Sequence, residues 1–224
     1  SQIEIDTSCA VRAFAMFGDS ITHMSYFSDS FMLQMYEKYQ GRLTVLNRGI
    51  GGNRLLHDAT WIEEMPGNGH CFGIAGESRF EADLFKYDHP NDILFLEGIN
   101  DLMHPYQFNH ANEIVSAEQL QKSVEILCHA AHEHGSRIYI GTIMPFRNDA
   151  LNDIFSEAEI ERKKYNQWVR KQTEADDFID FATVVEDPNR PEYMCSKLHI
   201  GDGLHPGAYG GKIMAETLIN RLGL

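Results

Sequence analysis

A hydroxyl, an imidazole and a carboxylate are the parts of a nucleophilic relay, and this chain offers them at Ser20, His205 and Asp202. A serine hydroxyl is a weak nucleophile at neutral pH and needs a base within hydrogen-bond reach. His205 is the candidate base. Asp202, three residues earlier, can reach the other ring nitrogen within one turn, fixing the tautomer and stabilising the imidazolium. Attack on a carbonyl puts a new negative charge on its oxygen. Three donors could form an oxyanion hole for it: the Ser20 N–H, the Gly52 N–H and the Asn100 side-chain amide. Glycine at 52 lets the backbone approach a substrate with no Cβ in the way. Such parts suit acyl transfer. Each also has a plainer reading. Gly18-Asp19-Ser20 is a common turn, with Asp19 bracing it or capping a helix; Gly51-Gly52 is a tight turn; Asn100 is a cap or an Asx turn; His205-Pro206 is a loop ahead of a helix.

The elements that must position these residues follow from the pattern of apolar runs. Strands are expected over 11–17, 43–46, 92–98, 137–144 and 178–181, several of them ending in glycine. Helices are expected over 28–39, 78–85, 156–173 and 207–222. Another follows the capping box Ser116-Ala117-Glu118-Gln119, with Leu120, Val124, Leu127, Cys128 and Ala131 as its stripe and Gly135 as its stop. A second capping box is expected at Ser156-Glu157-Ala158-Glu159. The glycine-rich 57–77 stretch reads as an insertion over the sheet edge that rims the site. The 104–112 stretch reads as irregular, and the segment with Pro188 and Pro191 reads as a loop. Strands alternating with helices imply a parallel sheet covered on both faces. Ser20, Gly52, Asn100 and the Asp202–His205 pair then all fall in loops at the strands' C-terminal edge, where open parallel sheets bind ligands. No repeat or linker divides the chain, so residues 1–224 read as one domain.

Four blocks carry a family resemblance. Gly18-Asp19-Ser20-Ile21, Asn47 through Gly52, Gly98-Ile99-Asn100-Asp101 and Asp202-Gly203-Leu204-His205-Pro206 occur in the order and with the spread of the SGNH, or GDSL, hydrolases. The sequence resembles that family over nearly its whole length. The resemblance implies an α/β fold, a three-layer α/β/α sandwich on a flavodoxin-like, doubly wound, five-stranded parallel sheet. It also implies a serine esterase working through an acyl-enzyme without a cofactor or metal. Two stretches, 49–56 and 96–101, further resemble a branch associated with xylan-degrading esterases, which points to removal of acetyl groups from a saccharide. The expected partner is then a small-molecule or oligosaccharide ester. Arg54, Trp61, Glu97, His104 and Tyr106 are candidates for the acyl or sugar pocket, with surface or packing roles as the alternative for each.

Composition narrows the rivals. The formal charge is −14, with 19 Lys and Arg against 33 Asp and Glu, which disfavours nucleic acid and anionic membranes as partners. Cys9, Cys71, Cys128 and Cys195 contain no CxxC pair, which argues against a zinc or thioredoxin-like site; Cys128 reads as a core thiol. His129, His132 and His134 have a spacing that resembles a metal site, but they fall in the last turn of a helix, where the backbone dipole favours histidine. No apolar run is long enough to span a bilayer. No signal peptide is visible, which favours the cytoplasm, although the chain begins at Ser1 rather than Met. The competing readings are an esterase or lysophospholipase for longer acyl chains, a non-catalytic carbohydrate-binding domain, and a metal-dependent hydrolase using the histidines.

Overall fold

The structure is a computed structural model that describes residues 10–149 and 152–224. Cys9 lies outside the described residues, as does the start of the expected 1–224 domain. Five strands form one parallel sheet: β1 (Arg12–Gly18), β2 (Leu43–Gly49), β3 (Asp92–Leu96), β4 (Arg137–Gly141) and β5 (Asp177–Ile179). Their order is β2-β1-β3-β4-β5, so the chain reverses its direction of travel between β1 and β3. Such a switch point opens a crevice at the strands' C-terminal ends.

The expected three-layer arrangement follows from the alternation of side chains along β1. Phe14 and Phe17 are both fully buried, yet they lie on opposite sheet faces because their positions differ in parity. Phe14 meets Phe31 of helix α2 (Tyr26–Tyr39), with ring centroids 4.9 Å apart. Phe17 meets Phe80 of helix α3 (Gly76–Phe85) at 5.1 Å. Before α2 comes the single turn α1 (Ser20–His23). The remaining helices are α4 (Ile99–Gln107), α5 (Ala117–Glu133), α6 (Ser156–Val169), α7 (Phe181–Val185) and α8 (Ala208–Leu222). Helix α8 packs beside α2 and α7; α5 packs between α3 and α6. The α5 stripe is buried as expected, and Ser116 and Gln119 make both bonds of the capping box. Burial pushes the Cys128 thiol up to about 12.

Strand register sets the height of the site. Gly18 stands opposite Gly49 on one side and Leu96 on the other, so the loops after β1, β2 and β3 leave at one level. Gly18 is required there: a Cβ would run into the Leu96 carbonyl and the Thr22 hydroxyl.

Several local expectations are corrected. Strand β2 runs on through Asn47-Arg48-Gly49 because its parallel pairing with β1 continues to Gly18. The stretch expected to be irregular is helical as far as Gln107, across Pro105. Residues 99 to 105 are all buried, and that burial outweighs a proline penalty of roughly 3 kcal/mol. The second capping box does not form. A 3-10 turn (Asn152–Phe155) runs straight into α6, Phe155 holds the cap position, and Glu159 turns instead to Arg162, accepting bonds of 2.6 and 2.7 Å. Helix α6 then stops at Val169 rather than 173. Strand β5 ends at Ile179, where Asp180 caps α7 by accepting from the Thr183 N–H. The expected Pro188–Pro191 loop is a hairpin of β6 (Glu186–Asp187) and β7 (Arg190–Met194). Proline is tolerated in such a two-stranded edge because its missing N–H faces outward.

Candidate active site

Ser20 is the first residue of α1, immediately above the end of β1. Its N–H has no acceptor within the helix, since the first four N–H groups of any helix lack one. Asp19 is the N-cap: Oδ1 accepts from the Ile21 N–H at 2.9 Å, so this carboxylate braces the turn.

The relay is assembled across 185 residues of sequence. Ser20 Oγ and His205 Nε2 lie 2.8 Å apart, and His205 Nδ1 lies 2.6 Å from Asp202 Oδ2. An ionised carboxylate can only accept, so Nδ1 carries the proton and Nε2 is left to accept from the serine hydroxyl. Burial would raise the Asp202 pKa. The hydrogen bonds from the His205 ring, the His205 N–H and the Leu204 N–H more than offset it, and the carboxyl is held below its ordinary value. Asp202 is therefore ionised at neutral pH. His199 orders the loop beneath, its Nδ1 accepting from the N–H groups of Gly201 and Gly203 at 3.0 Å each. The loop is closed by Ile200 N–H donating to the His205 carbonyl and Gly207 N–H to that of Leu198.

The other donor-bearing loops are tied together below the surface. Asn100 Nδ2 donates to the Asn53 carbonyl at 2.9 Å, which leaves its second amide hydrogen for another acceptor. Asn53 Nδ2 donates to the carbonyls of Phe72 and Ile74 at 2.6 and 2.8 Å. That pins the 57–77 stretch against the glycine loop, so it does rim this end of the sheet. Asp101 accepts from the N–H groups of Leu55 and Leu56 at 2.6 and 2.8 Å. Gly52 has φ +73°, and a Cβ there would strike the Phe72 ring.

Among the five pocket candidates, exposure differs sharply. Trp61 is 62 % exposed, edge-on to the His70 ring, and Tyr106 is half-buried. Arg54, Glu97 and His104 are buried, the placement that the packing alternative expects. Arg54 is spent on Glu113 at 2.7 Å and on the Asp58 carbonyl. His104 sits between the Phe72 and Phe108 rings, and burial, with the Arg54 charge, drives its pKa down to about 3. The helix histidines hold other partners: His132 lies 3.0 Å from Asp176, and His134 stacks on Phe85. Among the described residues no group of three His, Cys, Asp or Glu side chains could hold a metal ion. No helix of the described residues is long and apolar enough to cross a membrane.

Arg79 is the residue that the motifs did not disclose. It is 3 % exposed, with its guanidinium over the Phe17 ring at 3.9 Å. It donates to Asn53 Oδ1 at 2.7 Å, to the Arg48 carbonyl at 2.9 Å and to the Gly18 carbonyl at 3.0 Å. It thus binds the turn before Ser20 to the glycine loop. A signal for it existed: Arg79 occupies a core position in the stripe Gly76, Phe80, Leu84.

Arg79 also approaches Glu97 Oε1, but only to 3.6 Å, and neither Glu97 oxygen has a hydrogen-bond donor. Burial therefore wins over the nearby charge, and the Glu97 carboxyl is pushed up to about 8. Burial likewise raises Asp19 to about 7 and Asp101 to about 6, each against the backbone N–H bonds that pull it down. A raised carboxyl keeps its proton in the folded chain at a pH where the unfolded chain has released it. The folded state then binds more protons, so stability is full below the unfolded pKa and is lost as pH rises through the folded one. Unfolding in urea at pH 5, 6.5 and 8 should show stability declining across that window, and Glu97→Gln should make the decline shallower. Equal slopes for wild type and variant would show that Glu97 does not titrate this way.

No curated protein sequence matches the chain. Solved structures do match in fold. Acetylxylan esterase Axe2 from Geobacillus stearothermophilus is 16% identical, with a TM-score of 0.69 over 96% of this chain and 95% of that one. An α/β hydrolase enzyme from the metagenome of Lake Arreo, Spain, is 14% identical, with a TM-score of 0.69 over 96% of each chain. A GDSL-like lipase from Bacteroides thetaiotaomicron is 13% identical, with a TM-score of 0.64 over 95% of this chain and 88% of that one. The GDSL-like Lipase/Acylhydrolase family pattern matches residues 16–213, a span that runs from the end of β1 into α8 and takes in Ser20, Gly52, Asn100, Asp202 and His205. The chain belongs to the GDSL-like lipase/acylhydrolase family and is, by that membership, a hydrolase acting on esters.

Proposed function

We propose that this protein is a serine esterase that removes short acyl groups, acetyl foremost, from a carbohydrate. The observation that carries this reading is the hydrogen-bonded line from Ser20 Oγ through the His205 ring to Asp202. Ser20 Oγ attacks the ester carbonyl carbon while its proton passes to His205 Nε2. The charge that develops on the carbonyl oxygen is met by the Ser20 N–H, the Gly52 N–H and the Asn100 amide. The carbon–oxygen bond to the alcohol then breaks, and the alcohol leaves with the proton held by His205. Water attacks the acyl-enzyme, passing a proton to His205. The carboxylic acid departs, and the proton returns to Ser20.

Two observations support a saccharide as the alcohol. Beyond Asp202 and Gly203 opens a groove of about 700 Å³, lined with planar polar side chains and a ring, among them Arg147, Asn148, Arg190, Tyr193 and His199. An aromatic ring flanked by hydrogen-bonding side chains can hold a polyhydroxylated ligand. The fold is also that of an acetylxylan esterase.

A panel of p-nitrophenyl esters from acetate to octanoate, run beside acetylated xylooligosaccharides with Ser20→Ala as control, tests the reading. The expected result is Ser20-dependent release of acetate from the oligosaccharide and a higher kcat/KM for acetate than for octanoate. Faster turnover of octanoate, with no acetate released from the saccharide, would replace it by the longer-chain esterase.

A further inference from the structure

Phe72 belongs to no motif, yet its ring occupies a distinctive place. It lies directly against Gly52, so closely that a Cβ on residue 52 would strike it. Its other neighbour is His104, at 5.1 Å between ring centroids. His104 is one turn of α4 beyond Asn100, and residues four apart share a helix face. The Phe72 ring therefore lies between Gly52, one proposed oxyanion donor, and His104, on the helix that carries the other, Asn100. It is held there by backbone bonds that do not involve the ring, since its carbonyl accepts from Asn53 Nδ2 at 2.6 Å. The plate behind it is uncharged, because burial keeps His104 neutral at any pH near 7. His104 in turn meets Phe108 edge-on at 5.0 Å, so the Phe72 ring is backed by a second and a third ring.

The direction of the reaction assigns a use to this wall. His205 Nε2 must reach the oxygen of the departing alcohol, so the alcohol lies on the imidazole side of Ser20. The carbonyl oxygen points at the N–H donors. The remaining substituent of the carbonyl carbon, the acyl chain, then takes the third direction, away from His205 and diverging from the carbonyl oxygen.

We propose that Phe72 closes the acyl side of the site and sets its limit on acyl length, so that this chain accepts acetyl and excludes longer acyl groups. This inference rests on the serine-esterase reading, which supplies the side of Ser20 that the acyl chain occupies. It goes further in assigning chain-length selection to one side chain of the 57–77 segment.

The experiment measures kcat/KM for p-nitrophenyl acetate, butyrate and octanoate with wild type, Phe72→Ala and Phe72→Trp, and with Ser20→Ala as the control for the chemistry. A methylene that fits or fails to fit an apolar pocket changes kcat/KM by about 10–200-fold. Phe72→Ala should therefore raise the butyrate-to-acetate ratio by about 10-fold or more, and the octanoate-to-acetate ratio at least as much. Phe72→Trp should lower the butyrate-to-acetate ratio below that of wild type. The backbone tie through Asn53 survives both substitutions, and the Trp variant tests the same wall without opening a hole. Ratios that stay at the wild-type value in both variants, or rates that fall equally for all three esters, would overturn the assignment and leave the ring a structural prop. Those results with turnover still abolished by Ser20→Ala would sink this inference alone. Turnover by Ser20→Ala within tenfold of wild type would sink the esterase reading and this inference with it.

Discussion

Replacing Ser20 by alanine should lower kcat/KM for p-nitrophenyl acetate by about 10⁴-fold or more, with little change in melting temperature. The hydroxyl is the only atom removed, and its partner in the structure is His205 Nε2 at 2.8 Å. The backbone N–H of residue 20 remains, as do Gly52 and Asn100, so the variant should keep the modest activity that charge stabilisation alone provides. His205→Ala should fall to a similar level. The double variant should fall no further, because members of one relay lose their effect together rather than additively. A Ser20→Ala protein within tenfold of wild type on this ester would mean that the relay is not what turns the substrate over. Thermal unfolding is the companion measurement, since an inactive protein that has also lost its fold says nothing about the hydroxyl.

Arg79→Met should destabilise the protein by about 3–5 kcal/mol, since several buried acceptors lose their donor at about 1–3 kcal/mol each. At about 2–4 °C per kcal/mol for a chain of this size, the melting temperature should drop by about 10 °C. The buried carbonyls of Gly18 and Arg48 and the amide oxygen of Asn53 each lose a donor. An unmade buried bond costs more than a made one contributes. Activity should fall as well, because the same guanidinium joins the turn before Ser20 to the loop that carries Gly52. Arg79→Lys should recover only part of either loss: an ammonium keeps the charge but cannot reach three separate acceptors in a fork. A methionine variant that melts within about 2 °C of wild type would show that this cluster is not a support of the site.

The division between what was legible and what was not follows the range of the interactions. Strand ends and the chemistry placed on them were legible because they are local. An apolar run broken by glycine marks Gly18 without reference to any other segment, and the order of the four blocks carried the family. The α5 capping box was legible for the same reason, since both of its bonds lie within four residues. The box at Ser156 has the same spacing of serine and acid or amide and does not form: Glu159 pairs with Arg162, a buried charged partner that the rule does not see. The Pro105 helix was missed because the burial that offsets proline comes from other segments.

The polar residues around the site show the same limit. In the sequence Arg54, Glu97 and His104 read either as pocket or as packing residues, and no local pattern separates the two. Their burial is decided by Glu113, Arg79 and Phe72, partners 59, 18 and 32 residues away in the chain. By itself, the sequence determined the fold class, the family and the residues able to form a relay, since those depend on residue type, order and short-range periodicity. The 2.8 Å between Ser20 and His205, the hold of Arg79 on their surroundings and the seat of Phe72 on Gly52 arise only on folding. Those are distances between segments remote in the chain, and they come from strand register and side-chain packing, which no local pattern encodes.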